Sequence, residues 1–262
     1  MKRRNIFYAA VALFAMTLTS CDEVDKADRY IYVEPATVAR RVLVEDFTGQ
    51  KCNNCPTAHE ELERLQTQYG SDNVIAVSIH AGALAVGGAD DRKWLKTELG
   101  EEYNTYWKVE AWPMGLVNRV GGVAAHTNWG KMIYDEIQKP TYLELSMTPT
   151  YNETTRELTV AVEGKGLKDI SGKLQLWLTE DNIVANQIMP DGSLNREYVH
   201  SHVLRTAING TWGTDFNVAY GQTTNASFTT TLKESWDAKQ ITVIAFVYNS
   251  EGVQQVIKTK IQ

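Results

Sequence analysis

The stretch Val42-Leu43-Val44-Glu45-Asp46-Phe47-Thr48-Gly49-Gln50-Lys51-Cys52-Asn53-Asn54-Cys55-Pro56 decides how the rest of the sequence is read. Its first eight residues form an apolar, strand-like run that ends in a turn. After the cysteines, Ala58, Leu62, Leu65 and Tyr69 recur at helical spacing, and Gly70 supplies a stop signal. The pair therefore sits where a strand hands over to a helix. There the partial positive charge of a helix N-terminus favours a thiolate, and cysteine pKa values fall to roughly 3.5–7.5. Two cysteines two residues apart in this setting predict a redox centre with Cys52 and Cys55 as its reacting groups.

Strand and helix patterns alternate downstream. Residues 74–79 are an apolar run fit for a buried parallel strand, and 81–88 form a Gly/Ala loop. Asp90 or Asp91 opens a helix that Gly100 is expected to interrupt, giving two shorter pieces through Trp107. Residues 114–118 read as a strand and Gly121-Gly122 as a hairpin turn. Trp129, Met132, Ile133 and Ile137 mark one face of a helix ended by Pro140.

This order resembles the thioredoxin family, and so do Asp46, six residues before Cys52, and Trp112-Pro113 at the start of the third strand. The resemblance implies that Asp46 is a buried acid assisting proton transfer at the second cysteine. It implies that Pro113 is cis and packs beside the disulfide, and that Trp112 and Pro113 meet an extended substrate. By the same resemblance Cys52 is the more exposed cysteine and the nucleophile, and Cys55 resolves the mixed disulfide. Three positions depart from the pattern. Lys51 replaces a tryptophan, Asn53-Asn54 replace Gly-Pro, and Pro56 suits a first helical position that leaves Cys52 a turn outside the helix. Lys51 reads either as a cation tuning the thiolate or as a solvated surface residue.

From about Thr141 the character changes to short alternating segments: Leu143, Leu145, Met147; Leu158, Val160, Val162; Leu174, Leu176, Leu178; and the run 241–247. Turn signals such as Asp191-Gly192 and Glu251-Gly252 separate them, predicting an antiparallel sandwich of about seven strands without cysteines. The expected fold class is thus an α/β thioredoxin-like domain at 36–140 followed by an all-β immunoglobulin-like sandwich domain at 141–262. A hydrophobic content of 43% over 262 residues supplies core for one large domain or two modest ones.

The beginning of the chain places this chemistry in a compartment. Lys2, Arg3 and Arg4 precede an apolar run at 6–18, too short for an ordinary spanning helix and flanked as a secretory signal at 1–20. Leu18-Thr19-Ser20-Cys21 resembles a bacterial lipobox. That resemblance implies cleavage before Cys21 and acylation of its thiol, which leaves 21–35 as an acidic, polar tether. Removing the signal takes away three cations and no acid, so the formal charge moves from −6 to −9. No basic cluster follows, and nucleic acid is not an expected partner.

The lipobox, the segment from Phe47 to Pro56 and the C-terminal segment Tyr198-Val199-His200-Ser201-His202-Val203-Leu204-Arg205 together resemble the outer-membrane protein twenty-eight family of Bacteroidetes lipoproteins. The resemblance spans nearly the whole mature chain. It implies an outer-membrane lipoprotein, on the periplasmic side or at the cell surface.

Two functional classes stay open. One is a membrane-tethered thiol-disulfide oxidoreductase acting on protein thiols or disulfides. The other is a binding or adhesion lipoprotein whose sandwich recognises an unknown ligand. A structural staple is a poor third, since a disulfide across two residues removes little chain entropy. Zinc needs more ligands than the pair provides. His59, one helical turn after Cys55, and His80, at the end of the second strand, are explained equally by surface and strand-end packing. No metal or other cofactor is expected, and no phosphate loop, Gly-x-Ser-x-Gly or His-Glu-x-x-His motif is present.

Overall fold

In the computed structural model of the protein, which describes residues 39–261, the opening run forms strand β1 (Val42–Thr48), buried along its whole length. The predicted signal peptide, Cys21 and the tether lie outside the described residues. Burial on both faces explains why β1 reads as a continuous apolar run. Val42 and Val44 pack with Ala58, Leu62 and Leu65, while Leu43 and Phe47 join Tyr103, Trp177 and Phe246 on the other side.

Helix α1 (Cys55–Tyr69) supplies the first of those covers and stops at Gly70, whose φ of +90° suits a residue without a Cβ. Strand β2 (Val74–His80) runs parallel to β1, Val42 opposite Val74 and Thr48 opposite His80. Strand β3 (Met114–Val117) pairs antiparallel on the other side of β1. The Trp112-Pro113 bond that precedes β3 is cis. Helix α2 (Glu98–Tyr106) differs from its expected form, because Gly100 lies inside it and the segment from Asp90 to Thr97 is not helical. The Thr97 hydroxyl caps this helix by accepting from the Gly100 N–H at 3.0 Å. Gly100 serves close packing here, since a Cβ at that position would lie 3.1 Å from the His80 carbonyl. Helix α3 (Trp129–Ile137) adds Trp129 and Ile133 to the α1 side of the core.

Ten further strands follow: β4 (Leu143–Asn152), β5 (Glu157–Gly166), β6 (Ile170–Glu180), β7 (Ile183–Ile188), β8 (Leu194–His200), β9 (Val203–Ala207), β10 (Thr214–Val218), β11 (Thr223–Thr231), β12 (Ile241–Asn249) and β13 (Gly252–Lys260). They do not form a separate sandwich. One eight-stranded mixed sheet runs β13-β12-β6-β9-β2-β1-β3, with β10 paired to β6, and so takes strands from both sides of residue 140. The junction is β9 beside β2, where the Ser78 N–H donates to the His202 carbonyl at 2.8 Å. A three-stranded sheet, β11-β5-β4, packs over the β6, β10, β12 and β13 part of the large sheet, and β7 with β8 forms a hairpin of its own.

The expected α/β thioredoxin-like domain followed by an immunoglobulin-like sandwich is therefore corrected: the chain is mostly β, built on a shared mixed sheet. The physical reason lies in β6. Leu174, Leu176 and Leu178 point into the core under the three-stranded sheet, as their alternation suggests. Gln175 and Trp177 between them and Thr179 after them are buried too, and Trp177 packs with residues of β1, β2 and α2. A strand buried on both faces needs cover on both, and the N-terminal half supplies it.

Candidate functional site

Cys52 and Cys55 are joined as a disulfide, their Cα atoms 5.4 Å apart. Asn54 is the cap residue of α1, Cys55 its first residue, and Pro56 follows where a missing N–H costs nothing. Cys52 lies outside the helix in a turn closed by its own N–H donating to the Gly49 carbonyl at 3.0 Å. Lys51 N–H donates to the Leu84 carbonyl at 2.9 Å. That approach requires glycine at 49, where a Cβ would come within 2.5 Å of the Leu84 oxygen.

Both cysteines are buried, Cys52 at 1% exposure and Cys55 at 0%, so the expected difference in accessibility is almost absent. The end of the β7–β8 hairpin is tied to the motif. Gln187 Nε2 donates to the Cys52 carbonyl at 2.8 Å, and the Ile188 N–H donates to the Gln50 carbonyl at 2.9 Å. Gln50 in turn donates through Nε2 to the Asn186 and Lys93 carbonyls, at 3.1 and 2.8 Å, and accepts from the Leu95 N–H. The sequence reading gives neither glutamine a role, since the contact of Gln187 with the motif spans 135 residues. One local signal was present. In β7, Ile183 and Ala185 alternate inward, and Gln187 puts a polar side chain at the next inward position.

Behind the disulfide lies a buried polar cluster. Alternation along β1 puts Asp46 and Thr48 on the face covered by α1, and Ser78 and His80 of β2 lie beside them. Asp46 is fully buried and accepts no well-directed hydrogen bond, but His59 Nε2 stands 3.3 Å from its Oδ2. The same nitrogen is 3.1 Å from Thr48 Oγ1, and His59 Nδ1 is 2.9 Å from the Tyr198 hydroxyl of β8. His80 and His200 meet edge to face at 5.3 Å, and their ring nitrogens make no hydrogen bond among the described residues. Burial holds His80 well below the ordinary imidazole range, with the neighbouring His200 and His59 adding to the effect. Burial also pushes His200 down to about 4, again with His59 contributing. Tyr198 is pushed up to about 12 by burial, then by Glu63, Asp46 and Glu60.

The other singled-out residues sit as follows. Lys51 is exposed and makes no ion pair among the described residues. Pro113 is buried next to Met114, which pairs with Phe47, so it stands at the end of β1 that leads into the cysteines. Trp112 packs against the backbone at Gly82, where any side chain would collide with its ring. His200 ends β8 with its ring buried, and His202 lies apart from it. His202 occupies a left-handed turn after β8, its Nδ1 3.1 Å from Asp181 Oδ1. Among the described residues, no three His, Cys, Asp or Glu side chains converge as metal ligands. No described helix is long and apolar enough to cross a membrane.

The family model described as outer membrane protein Omp28 matches residues 100–262, more than half of the chain. The chain belongs to the Omp28 family. It is accordingly an outer membrane protein, as its resemblance to the Bacteroidetes lipoproteins implied. The match begins beyond the cysteine pair, so membership of the Omp28 family assigns no role to Cys52 and Cys55. Among solved structures, this Omp28-family chain is similar to HBP35 of Porphyromonas gingivalis, with 16% identity and a TM-score of 0.67. That alignment covers 87% of this chain and 77% of HBP35, and shows a common fold. A solved domain of the outer membrane lipoprotein Omp28 from Porphyromonas gingivalis is 25% identical over 47% of this chain and 89% of its own, with a TM-score of 0.34. No curated protein matches the chain.

Proposed function

We propose that this outer membrane protein is a lipid-anchored thiol-disulfide exchange protein acting on thiols or disulfides of envelope or secreted proteins. The observation that carries the reading is the Cys52–Cys55 disulfide at the start of α1, with the buried Asp46 carboxylate on the strand face that α1 covers. In the reducing direction the Cys52 thiolate attacks one sulfur of a substrate disulfide, and the other substrate sulfur leaves as a thiolate. Cys55, once deprotonated, attacks Cys52 Sγ, releases the remaining substrate sulfur as a thiolate and closes the Cys52–Cys55 bond. Two electrons have then passed from the pair to the substrate. The oxidising direction is the reverse, starting from the disulfide form. The cysteines carry the electrons themselves, and no cofactor is required.

Lys51 supplies a cation near the Cys52 thiolate, Trp112 and Pro113 form the surface met by an extended substrate, and acylated Cys21 provides the membrane anchor. Because both sulfurs are buried and the hairpin is tied to the motif through Gln187, a protein substrate reaches Cys52 when that tie yields. The purified protein is expected to catalyse insulin reduction or oxidation of a scrambled substrate, and Cys52→Ser to abolish it. Absence of turnover, together with a pair potential below roughly −300 mV, would overturn the reading, since such a disulfide behaves as structural.

Burial of both cysteines supports a second reading, a binding or adhesion lipoprotein whose β-rich C-terminal half recognises an unknown ligand while the disulfide stays closed. Under that reading Cys52→Ser leaves ligand binding intact.

A further inference from the structure

We propose that His59 carries protons between the buried Asp46 and solvent by way of the Tyr198 hydroxyl, and is the proton exit for exchange at Cys55. This inference rests on the redox reading above. Exchange requires the Cys55 thiol to lose its proton before its sulfur attacks, and a fully buried thiol ionises poorly without a base. Asp46 lies on the face of β1 that α1 covers, and His59 follows Cys55 by one turn of that helix. A proton accepted by Asp46 must still reach water, because the carboxyl itself is sealed from it.

The side chains around Asp46 offer a connected route. Its Oδ2 is 3.3 Å from His59 Nε2, and His59 Nδ1 is 2.9 Å from the Tyr198 oxygen. The His59 side chain keeps 16% exposure and Tyr198 is partly exposed, so the route ends at the surface. With Nδ1–H donating to Tyr198, Nε2 is the accepting nitrogen, and its lone pair takes the Thr48 hydroxyl proton in a 3.1 Å hydrogen bond that holds the ring in place until a proton from Asp46 displaces it.

The steps balance. Cys55 gives its proton to Asp46, and the thiolate electron pair forms the bond to Cys52 Sγ while the substrate sulfur departs with the pair of the broken bond. Asp46 passes the proton to His59 Nε2. The imidazolium releases its Nδ1 proton to the Tyr198 oxygen as the tyrosine hydroxyl proton moves to water. Opening of the disulfide runs the same path backwards.

The surroundings favour this histidine over the other two. His59 is faced by Asp46 from β1, by Tyr198 and His200 from β8 and by His80 from β2, with Glu60 and Glu63 beside it on its own helix. His80 and His200 are held neutral by burial, and their ring nitrogens have no hydrogen-bond partner among the described residues to carry a proton onward.

The test uses the reduced full-length protein and oxidised glutathione, with the mixed disulfide trapped by acid and its resolution timed by mass spectrometry between pH 6 and 9. His59→Gln is expected to slow resolution by about 10- to 100-fold at neutral pH, the scale of a positioned acid-base group. The deficit should shrink as pH rises, and added imidazole should restore part of the rate. Tyr198→Phe, which keeps the ring and removes the hydroxyl, should slow resolution in the same sense and serves as the test if His59→Gln misfolds. A variant with the unaltered rate and pH profile overturns the relay while the redox reading stands. Failure of the unmodified protein to exchange with glutathione overturns both.

Discussion

His80 and His200 should make the protein acid-sensitive starting in the ordinary imidazole range, above that of carboxylates. Both are buried in the polar cluster beneath α1 and held in the neutral form, His200 down to about 4. In the unfolded chain an imidazole binds its proton below about 6.5. Between those values the unfolded state holds more protons than the folded one, so stability falls as pH falls, by about 1.4 kcal/mol per pH unit for each histidine. Urea denaturation from pH 7 to 4.5 should show this slope, and His200→Asn should remove roughly half of it; a flat profile would contradict the buried neutral assignment. Asp181 and Glu136, whose pKa values are lowered, lose their contribution as pH falls below the ordinary carboxylate range, so most of the histidine window lies above theirs. At this scale the cysteines were legible from the local strand-to-helix junction, while buried Asp46 and the cis proline were implied only by the thioredoxin resemblance. Gln50, Gln187 and Tyr198 were not legible, since their partners are supplied by distant strands.

At the scale of elements, the β7–β8 hairpin is fastened to the turn that carries Cys52. Its end is held by Gln187, which donates to the Cys52 and Ile188 carbonyls, and by the Ile188 to Gln50 backbone bond. Gln187→Ala leaves the buried Cys52 carbonyl without that donor, at a cost of about 1–3 kcal/mol. The same change should speed reduction of the disulfide by dithiothreitol, measured by alkylation and mass spectrometry; an unchanged rate would show that the hairpin does not limit access. The lesson of α2 is similar. Gly100 reads as an interruption in the sequence, yet it permits close approach to β2, while the start of the helix is set by the Thr97 cap. Propensity names glycine as a breaker, and packing overrides it where a helix must lie tight on a strand.

For the molecule as a whole, the shared sheet makes the two halves one cooperative structure. Trp177 of β6 packs on Phe246 with ring centroids 4.7 Å apart and donates to the Tyr103 hydroxyl of α2 at 2.9 Å. Arg119, after β3, pairs with Glu45 of β1 at 2.7 Å and lies 4.5 Å from the Tyr248 ring of β12. Trp177→Ala is expected to cost about 3–5 kcal/mol. Unfolding should stay a single transition, with fluorescence and far-UV circular dichroism coinciding; two separated transitions would show independent halves. By itself the sequence determined the strand-to-helix junction with its cysteine pair, the parallel β1–β2 unit, four of the ten strands after residue 140 and the family resemblance. All of these rest on local periodicity, turn chemistry and short motifs. Only the tertiary structure decided that β9 docks beside β2, that β6 is covered on both faces, and that Gln187 and Tyr198 reach the disulfide site. Those outcomes depend on which buried faces find each other across more than a hundred residues, and alternation along one strand says that a face is apolar without saying what covers it.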